Sequence, residues 1–183
     1  DKSIIDSLFL SITSRTAGFS TFDITSLYQV ELLILIVLMF IGASPGSTGG
    51  GVKTTTITTV LLSLFSFKKK KSINLFSRRI SDESVLKAYQ VCMLGIITIL
   101  VTTFVLLIGE EGKFGSMDLL FESVSAFATV GLSTGVTTSL ESSSKIALMV
   151  AMFIGRVGPI TIASSFIVKK SELQYIPERV FIG

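Results

Sequence analysis

Histidine is absent from this 183-residue sequence, and cysteine occurs once, at Cys92. Without histidine the chain lacks the commonest metal ligand and the usual general base at neutral pH, and one cysteine cannot form an intrachain disulfide. Charged residues are also scarce, at 16% against about a quarter in typical soluble domains, while 49% of residues are apolar and the mean hydropathy is +0.73. This composition argues against catalysis and points to a lipid environment.

The basic residues behind the net charge of +3 lie beside long apolar stretches, in clusters at residues 68–71, 78–79 and 169–170. No aromatic residues are interleaved with them as a stacking platform, so no nucleic-acid partner is expected. Such clusters are typical of charges that flank membrane spans. The first residues carry neither an initiator methionine nor a signal-peptide pattern, so we expect the chain to be a fragment of a longer protein.

Two apolar stretches are long enough to cross a bilayer. Residues 85–108 contain one charged residue, Lys87, and residues 146–168 contain one, Arg156. Because a helix of about 20 apolar residues crosses the hydrocarbon core, both stretches are predicted to span.

A glycine-rich insert at residues 44–51 separates two shorter apolar pieces, 32–43 and 52–67. Non-helical backbone at membrane depth is tolerated only where protein buries it or where it lines a water-filled cavity, because unpaired amides are costly in lipid. The sequence therefore predicts a broken helix beside a pore.

The positive-inside rule predicts the orientation. It places the basic segments 68–84 and 169–183 in the cytoplasm and the turn at 109–112 outside. Residues 117–128 are too few for a full crossing, so they predict a half-helix that enters from outside and returns through residues 129–134.

An internal repeat relates the two halves of the chain. A shift of 113 residues without a gap aligns residues 16–21 (TAGFST) with 129–134 (TVGLST) and residues 39–42 with 152–155 (both MFIG), with eight of ten positions identical. Equal separation of the two blocks predicts two copies of one unit, in which a glycine-containing loop joins a short helix to a following helix.

Both repeated loops have the features of an ion filter. Potassium channels replace the ion's hydration shell with backbone carbonyls from a Thr-Val-Gly-Tyr-Gly segment, which begins as residues 129–131 do. Glycine permits the positive φ that turns successive carbonyls to one axis. Half-helices at 4–13 and 117–128 would direct the negative ends of their dipoles toward a cation without a buried acid. The predicted filter residues, whose carbonyls would hold K+, are Thr16, Ala17, Gly18, Phe19, Thr129, Val130, Gly131 and Leu132.

At these residues the chain resembles the superfamily of K+ transporters that comprises the Trk, Ktr and HKT proteins, and among them most closely the bacterial Ktr membrane subunit. Residues 14–19 and 128–133 resemble the family's third and fourth pore loops, and the insert is similar to its intramembrane gating loop. The resemblance implies an all-α integral membrane fold of four helix–loop–helix repeats. The chain would supply an incomplete third repeat (1–67), a cytoplasmic linker (68–84), the fourth repeat (85–168) and a cytoplasmic tail (169–183).

The resemblance also implies a function. It is K+ uptake across the bacterial plasma membrane by a homodimer of membrane subunits, seated on a cytosolic ring that binds nucleotides, with no organic cofactor in this chain. Whether Na+ is coupled to the movement of K+ or only activates it stays open. The implied gate below the filter consists of Gly46, Gly49, Gly50, Gly51 and Arg156, the last matching a family arginine in the final helix.

Several charged residues admit two interpretations. Arg156 either bonds only to carbonyls freed by the glycine and proline breaks, or acts as an electrostatic barrier that helps the insert to close the pore. Lys53 either lines the pore or sits solvated in an inner cavity. Glu31 and Arg15 near the outer mouth either tune the local cation concentration or hold a loop by a salt bridge, the structural role being favoured for Arg15.

Two other classes of protein compete with a transporter. The run from Gly46 to Thr54 superficially resembles a nucleotide-binding P-loop, but Val52 separates Gly51 from Lys53 and breaks the spacing. A membrane subunit that only anchors a complex, with its glycines serving helix packing, is the second alternative.

Overall fold

The computed structural model describes residues 4–21, 23–66, 74–75, 78–159 and 161. These residues form six α-helices, two short 3-10 helices (Ile24–Ser26 and Val136–Ser139) and one short two-stranded ribbon. About half of the predicted linker (68–84) and all of the predicted tail (169–183) lie outside them. The elements are α1 (Ile4–Thr13), α2 (Gln29–Phe40), α3 (Thr54–Ser66), β1 (Asn74–Leu75), β2 (Arg78–Arg79), α4 (Asp82–Gly109), α5 (Ser116–Ala128) and α6 (Ser142–Val157).

The fold is mostly helical, as the sequence predicts, with one departure. β1 and β2 pair antiparallel with Asn74 opposite Arg79, inside the segment expected to be a linker. No strand was predicted here. The ribbon contains four residues, and the other regular elements among the described residues are helices.

α4 contains the clearest predicted span. Within the described residues it is the one helix long and apolar enough to cross a membrane, judged by length and composition. It begins at Asp82, earlier than the apolar run at 85, because the Ser81 hydroxyl caps the Ser84 amide and Asp82 and Glu83 complement the positive end of the helix dipole. Large apolar side chains such as Phe104 stay exposed along it, as a lipid-facing helix requires.

α5 lies at the centre of the packing, in contact with α2, α4 and α6. Every residue from Phe121 to Ala128 is buried, and the Phe121 and Phe127 side chains are completely inaccessible. The serines and alanines between them are small enough for neighbouring backbones to approach closely, which favours helix packing in membranes. The two phenylalanines fill the remaining space.

α2 and α6 begin at Gln29 and Ser142, a separation equal to the repeat shift. α2 ends at Phe40, and α3 restarts at Thr54 beyond the insert, so the predicted break is present. α6 stays helical to Val157 and stops at Gly158, whose φ of +97° disfavours any residue with a side chain. Residues 162–168 of the second predicted span lie outside the described residues.

A cluster of charges joins the C-terminal end of α4 to the N-terminal end of α6. The Glu110 carboxylate accepts a hydrogen bond from the Glu141 amide at 2.6 Å. The Lys113 ammonium pairs with both Glu110 and Glu141. At the other end of α4, the hydroxyls of Ser63 and Tyr89 lie 2.5 Å apart and join α3 to α4. Polar side chains therefore connect α4 to α6 near one end and to α3 near the other.

Candidate functional site

The loops that follow α1 and α5 have the same backbone pattern. Thr16 and Gly18 have φ values of +73° and +76°, and Thr129 and Gly131 have values of +54° and +92°. The intervening residues, Ala17 and Val130, lie outside the positive-φ region. The positive φ of Gly18 and Gly131 agrees with the reason that the sequence analysis gave for glycine at these positions. The alignment of the loop carbonyls on one axis stays a prediction. The positive φ of the two threonines was not predicted, and it is strained for β-branched residues.

The two loops meet at their glycines. A Cβ atom on Gly18 would lie 2.2 Å from the Val130 carbonyl oxygen and 3.5 Å from the Gly131 Cα. Position 18 is therefore closed to any side chain by contact as well as by its positive φ. This approach brings residues 113 positions apart in the sequence into contact.

Hydroxyl groups of the short helices anchor the far ends of the loops. The Thr13 hydroxyl accepts from the Phe19 amide at 2.9 Å and donates to the Phe19 carbonyl at 2.6 Å. The Ser125 hydroxyl donates to the Leu132 carbonyl at 2.5 Å. The carbonyls of Phe19 and Leu132, which match in the repeat, are thus each bound to their own preceding helix. Each carbonyl oxygen has a second lone pair, and the role of holding an ion stays a prediction for both.

The insert passes directly beside the first threonine of each loop. The Gly50 amide donates to the Thr129 hydroxyl at 2.8 Å. A Cβ atom on Gly49 would lie 2.6 Å from the Thr16 Oγ1, and one on Gly50 would lie 2.6 Å from the Thr129 Oγ1. Glycine at 49 and 50 is explained by this close approach.

Two cationic side chains hold the insert in place. The Lys53 Nζ donates to the Gly49 carbonyl at 2.6 Å, and the Arg156 guanidinium donates to the Thr48 carbonyl. Lys53 therefore binds the insert itself, which neither of its sequence interpretations described. Arg156 reaches a carbonyl freed by the break, and that carbonyl belongs to the insert rather than to α6.

The base of the insert is closed. Ile41 and Val52 form a parallel bridge, with the Gly42 amide donating to the Val52 carbonyl at 2.9 Å. The Gly51 amide donates to the Gly155 carbonyl of α6 at 3.3 Å. Because the insert leaves and returns at one point, it is a side loop between α2 and α3 rather than a linker.

A cavity of about 710 Å³ runs alongside the second loop. Thr129, Gly131 and Arg156 are among its lining residues, so part of the predicted filter and part of the predicted gate face the same space. Of the predicted residues, Gly46 stands apart, since no atom lies within 4 Å of the position that its Cβ would take.

Glu122 is the residue that the sequence reasoning missed. It is 4% exposed in α5, and its carboxylate accepts hydrogen bonds from Ser133, Thr134 and Thr137. The sequence analysis invoked only the helix dipoles here and assigned Glu122 no role. A charged residue within a predicted half-helix at membrane depth was the available signal. Glu31, by contrast, caps the start of α2 by accepting from the Tyr28 amide at 2.9 Å.

A family model described as "TrkH: Cation transport protein" matches residues 1–175. The chain is 41% identical over 182 residues to Ktr system potassium uptake protein D of Bacillus subtilis, which covers 97% of this chain and 40% of that protein. It is 39% identical over 156 residues to Ktr system potassium uptake protein B of Vibrio alginolyticus, with 85% and 34% covered. It is 34% identical over 187 residues to potassium/sodium uptake protein NtpJ of Enterococcus hirae, with 98% and 42% covered.

The fold is also similar to a solved structure. The potassium transporter TrkH from Vibrio parahaemolyticus superposes with a TM-score of 0.70 at 20% identity, over 88% of this chain and 36% of that one. This likeness shows a shared fold. The chain spans about two fifths of the length of the first relatives it matches.

Proposed function

The chain belongs to the TrkH family of cation transport proteins, and we propose that it forms part of a K+ uptake pathway across a bacterial plasma membrane. The family is one of membrane transporters, so the prediction that the chain is not an enzyme is confirmed, and the nucleotide-binding alternative is wrong. The relatives named for potassium uptake support K+ as the transported ion. Since the chain spans about two fifths of these relatives, the activity belongs to a longer protein.

The observation that carries the proposal is the meeting of the two loops. Gly18 lies against the Val130 carbonyl, and the alternating φ values on both sides suit carbonyls that replace the hydration shell of a cation. In this proposal the carbonyls of residues 16–18 and 129–131 supply half of the filter. The other half comes from two further repeats.

The insert is the proposed gate. It lies beside Thr16 and Thr129, and Lys53 and Arg156 hold it there through the carbonyls of Gly49 and Thr48. In that position its backbone occupies the route of an ion that leaves the filter toward the cytoplasm. The two positive charges also raise the electrostatic barrier to a cation.

The remaining parts of the proposal concern partners and ions. Two relatives are named as proteins of a Ktr system, which supports a membrane subunit that acts with other components. We propose a homodimer on a cytosolic nucleotide-binding ring. NtpJ is named for both potassium and sodium, which supports a test of Na+ as a second ion.

The test replaces Gly131 with serine in the full-length protein and measures K+ and Na+ uptake in the same cells. Gly131→Ser is expected to lower K+/Na+ discrimination, because it strains the backbone at φ +92° within the filter. Gly112→Ser is the matched control: its φ is +73°, and it lies in the predicted external turn with no atom within 4 Å of its Cβ position. Unchanged discrimination in Gly131→Ser would remove the filter proposal and favour the anchor subunit.

A further inference from the structure

One buried carboxylate ties the backbone that follows Gly131 to α5. The Glu122 Oε1 accepts from the Ser133 hydroxyl at 2.5 Å and from the Thr134 amide at 3.0 Å. Its Oε2 accepts from the Thr137 hydroxyl at 2.6 Å. A buried carboxylate is stable only when donors replace its lost hydration. Here the donors belong to the same segment that the carboxylate holds.

A second side chain of α5 forms a hydrogen bond with the residue that precedes this segment. Ser125 lies one helical turn after Glu122, so both side chains project from one face of the helix. Its hydroxyl donates to the Leu132 carbonyl at 2.5 Å. Three consecutive residues, 132–134, are therefore fixed to α5 immediately beyond Gly131.

The first loop is fastened differently. In the repeat register Glu122 corresponds to Phe9, which is 38% exposed. An acidic side chain also contacts the first loop, but in an exposed and longer bond, from the Thr21 hydroxyl to the Asp6 carboxylate at 3.4 Å. The buried acid is thus particular to the second loop among the described residues, and helix packing common to both repeats does not account for it.

We propose that Glu122 is a positioning residue for the ion path, an inference that rests on the proposed function. It fixes the outer end of the second loop, and thereby the spacing of the Val130 and Gly131 carbonyls on which discrimination between K+ and Na+ depends. Glu122 itself does not touch the ion. A loop released at residues 132–134 would let these carbonyls close around the smaller Na+.

The test measures K+ and Na+ flux of the full-length protein in liposomes at equal protein content. Glu122→Leu, which removes every acceptor atom, is expected to lower the K+/Na+ flux ratio about tenfold, the factor equivalent to about 1.4 kcal/mol. Glu122→Gln retains an oxygen for the Thr134 amide and is expected to recover part of the ratio. The matched control is Glu111→Leu, at an exposed position in the same external region, with an unchanged ratio.

A Glu122→Leu protein that keeps the wild-type ratio would overturn the inference. Absence of K+ flux in the wild type would instead count against the proposed function. If Glu122→Leu does not reach the membrane, the double variant Ser133→Ala with Thr137→Val decides, because it removes two donors and leaves the acid in place. A lowered ratio in that variant supports the positioning role, and an unchanged ratio overturns it.

Discussion

The hydroxyl of Thr129 accepts a hydrogen bond from the amide of Gly50 at 2.8 Å, across 79 positions of sequence. This bond joins the second loop, which we propose as a filter, to the insert, which we propose as a gate. Thr129→Val keeps the shape of the side chain and removes the acceptor. An unsatisfied amide costs about 1–3 kcal/mol, so the insert should be released and basal K+ uptake by the full-length protein should rise.

The control for Thr129→Val is Thr58→Val in α3, where the exposed hydroxyl donates to the Thr54 carbonyl of its own helix at 2.9 Å. K+ uptake is measured for both at matched membrane abundance. Equal basal uptake in Thr129→Val, Thr58→Val and the wild type would show that the bond does not couple the two parts.

The cationic contacts of the insert give a second prediction. Lys53→Ala and Arg156→Ala each remove a donor to an insert carbonyl, and each is expected to raise K+ uptake several-fold and weaken its dependence on the regulatory partner. Lys145→Ala is the control, since its Nζ donates to the Thr138 carbonyl at 3.1 Å and not to the insert. Unaltered uptake and regulation in both variants would remove the gate proposal.

The contact between α6 and α5 predicts a stability effect. A Cβ atom on Gly155 would lie 1.7 Å from the Phe127 carbonyl oxygen, so Gly155→Ala must separate the helices at a cost of about 3 kcal/mol or more. Gly46→Ala meets no neighbouring atom and should cost about 1–2 kcal/mol from its positive φ alone. Thermal unfolding in detergent compares the Tm values of the two variants. A larger loss of stability in Gly46→Ala than in Gly155→Ala would contradict the close contact between α5 and α6.

The charged cluster between the C-terminal end of α4 and the N-terminal end of α6 predicts a pH dependence. The Glu141 amide, assisted by Lys113, holds the pKa of Glu110 below its ordinary value of 4.5, with burial opposing the shift. The glutamates, Glu141 first, raise the pKa of Lys113 above 10.5. A lowered carboxyl pKa contributes stability that is present above pH 4.5 and is lost as the pH falls through the lowered value. A raised lysine pKa contributes stability that is lost only above pH 10.5.

Thermal unfolding of the wild type and Glu110→Gln, measured from pH 7 down to pH 3, tests the acid limb. The difference in Tm should be largest at neutral pH and shrink as the pH falls below 4.5, because the unfolded carboxylate takes up a proton first and the folded one only at its lowered pKa. A difference that stays constant with pH would assign the effect of the substitution to packing rather than to charge.

The sequence predicts the parts of the fold that depend on local pattern. α1 has the expected bounds and α5 begins one residue early, because an apolar run ending at a Thr-x-Gly loop fixes a short helix. The break after α2 was expected from the glycines of the insert. The contacts of Lys53, Arg156 and Glu122 were beyond prediction, since each depends on the path of a loop that returns to a distant helix. From its position in the sequence, Lys53 was expected to face a pore or a cavity. In the structure its long side chain turns back and binds the carbonyl of Gly49, four residues earlier.

Because Ile41 and Val52 are bridged, the positions of α2 and α3 do not depend on the length of the insert between them. α2 and α3 meet at one point whether the excursion between them is short or long, so residues can be added near Gly46 without changing the path of either helix. In evolutionary terms, the residues around Gly46 are free to vary in number and type, while Gly49, Gly50 and the loops that they contact stay fixed. With the insert as gate and the loops as filter, as proposed, a transporter built in this way can acquire a different threshold for opening without acquiring a different ion preference.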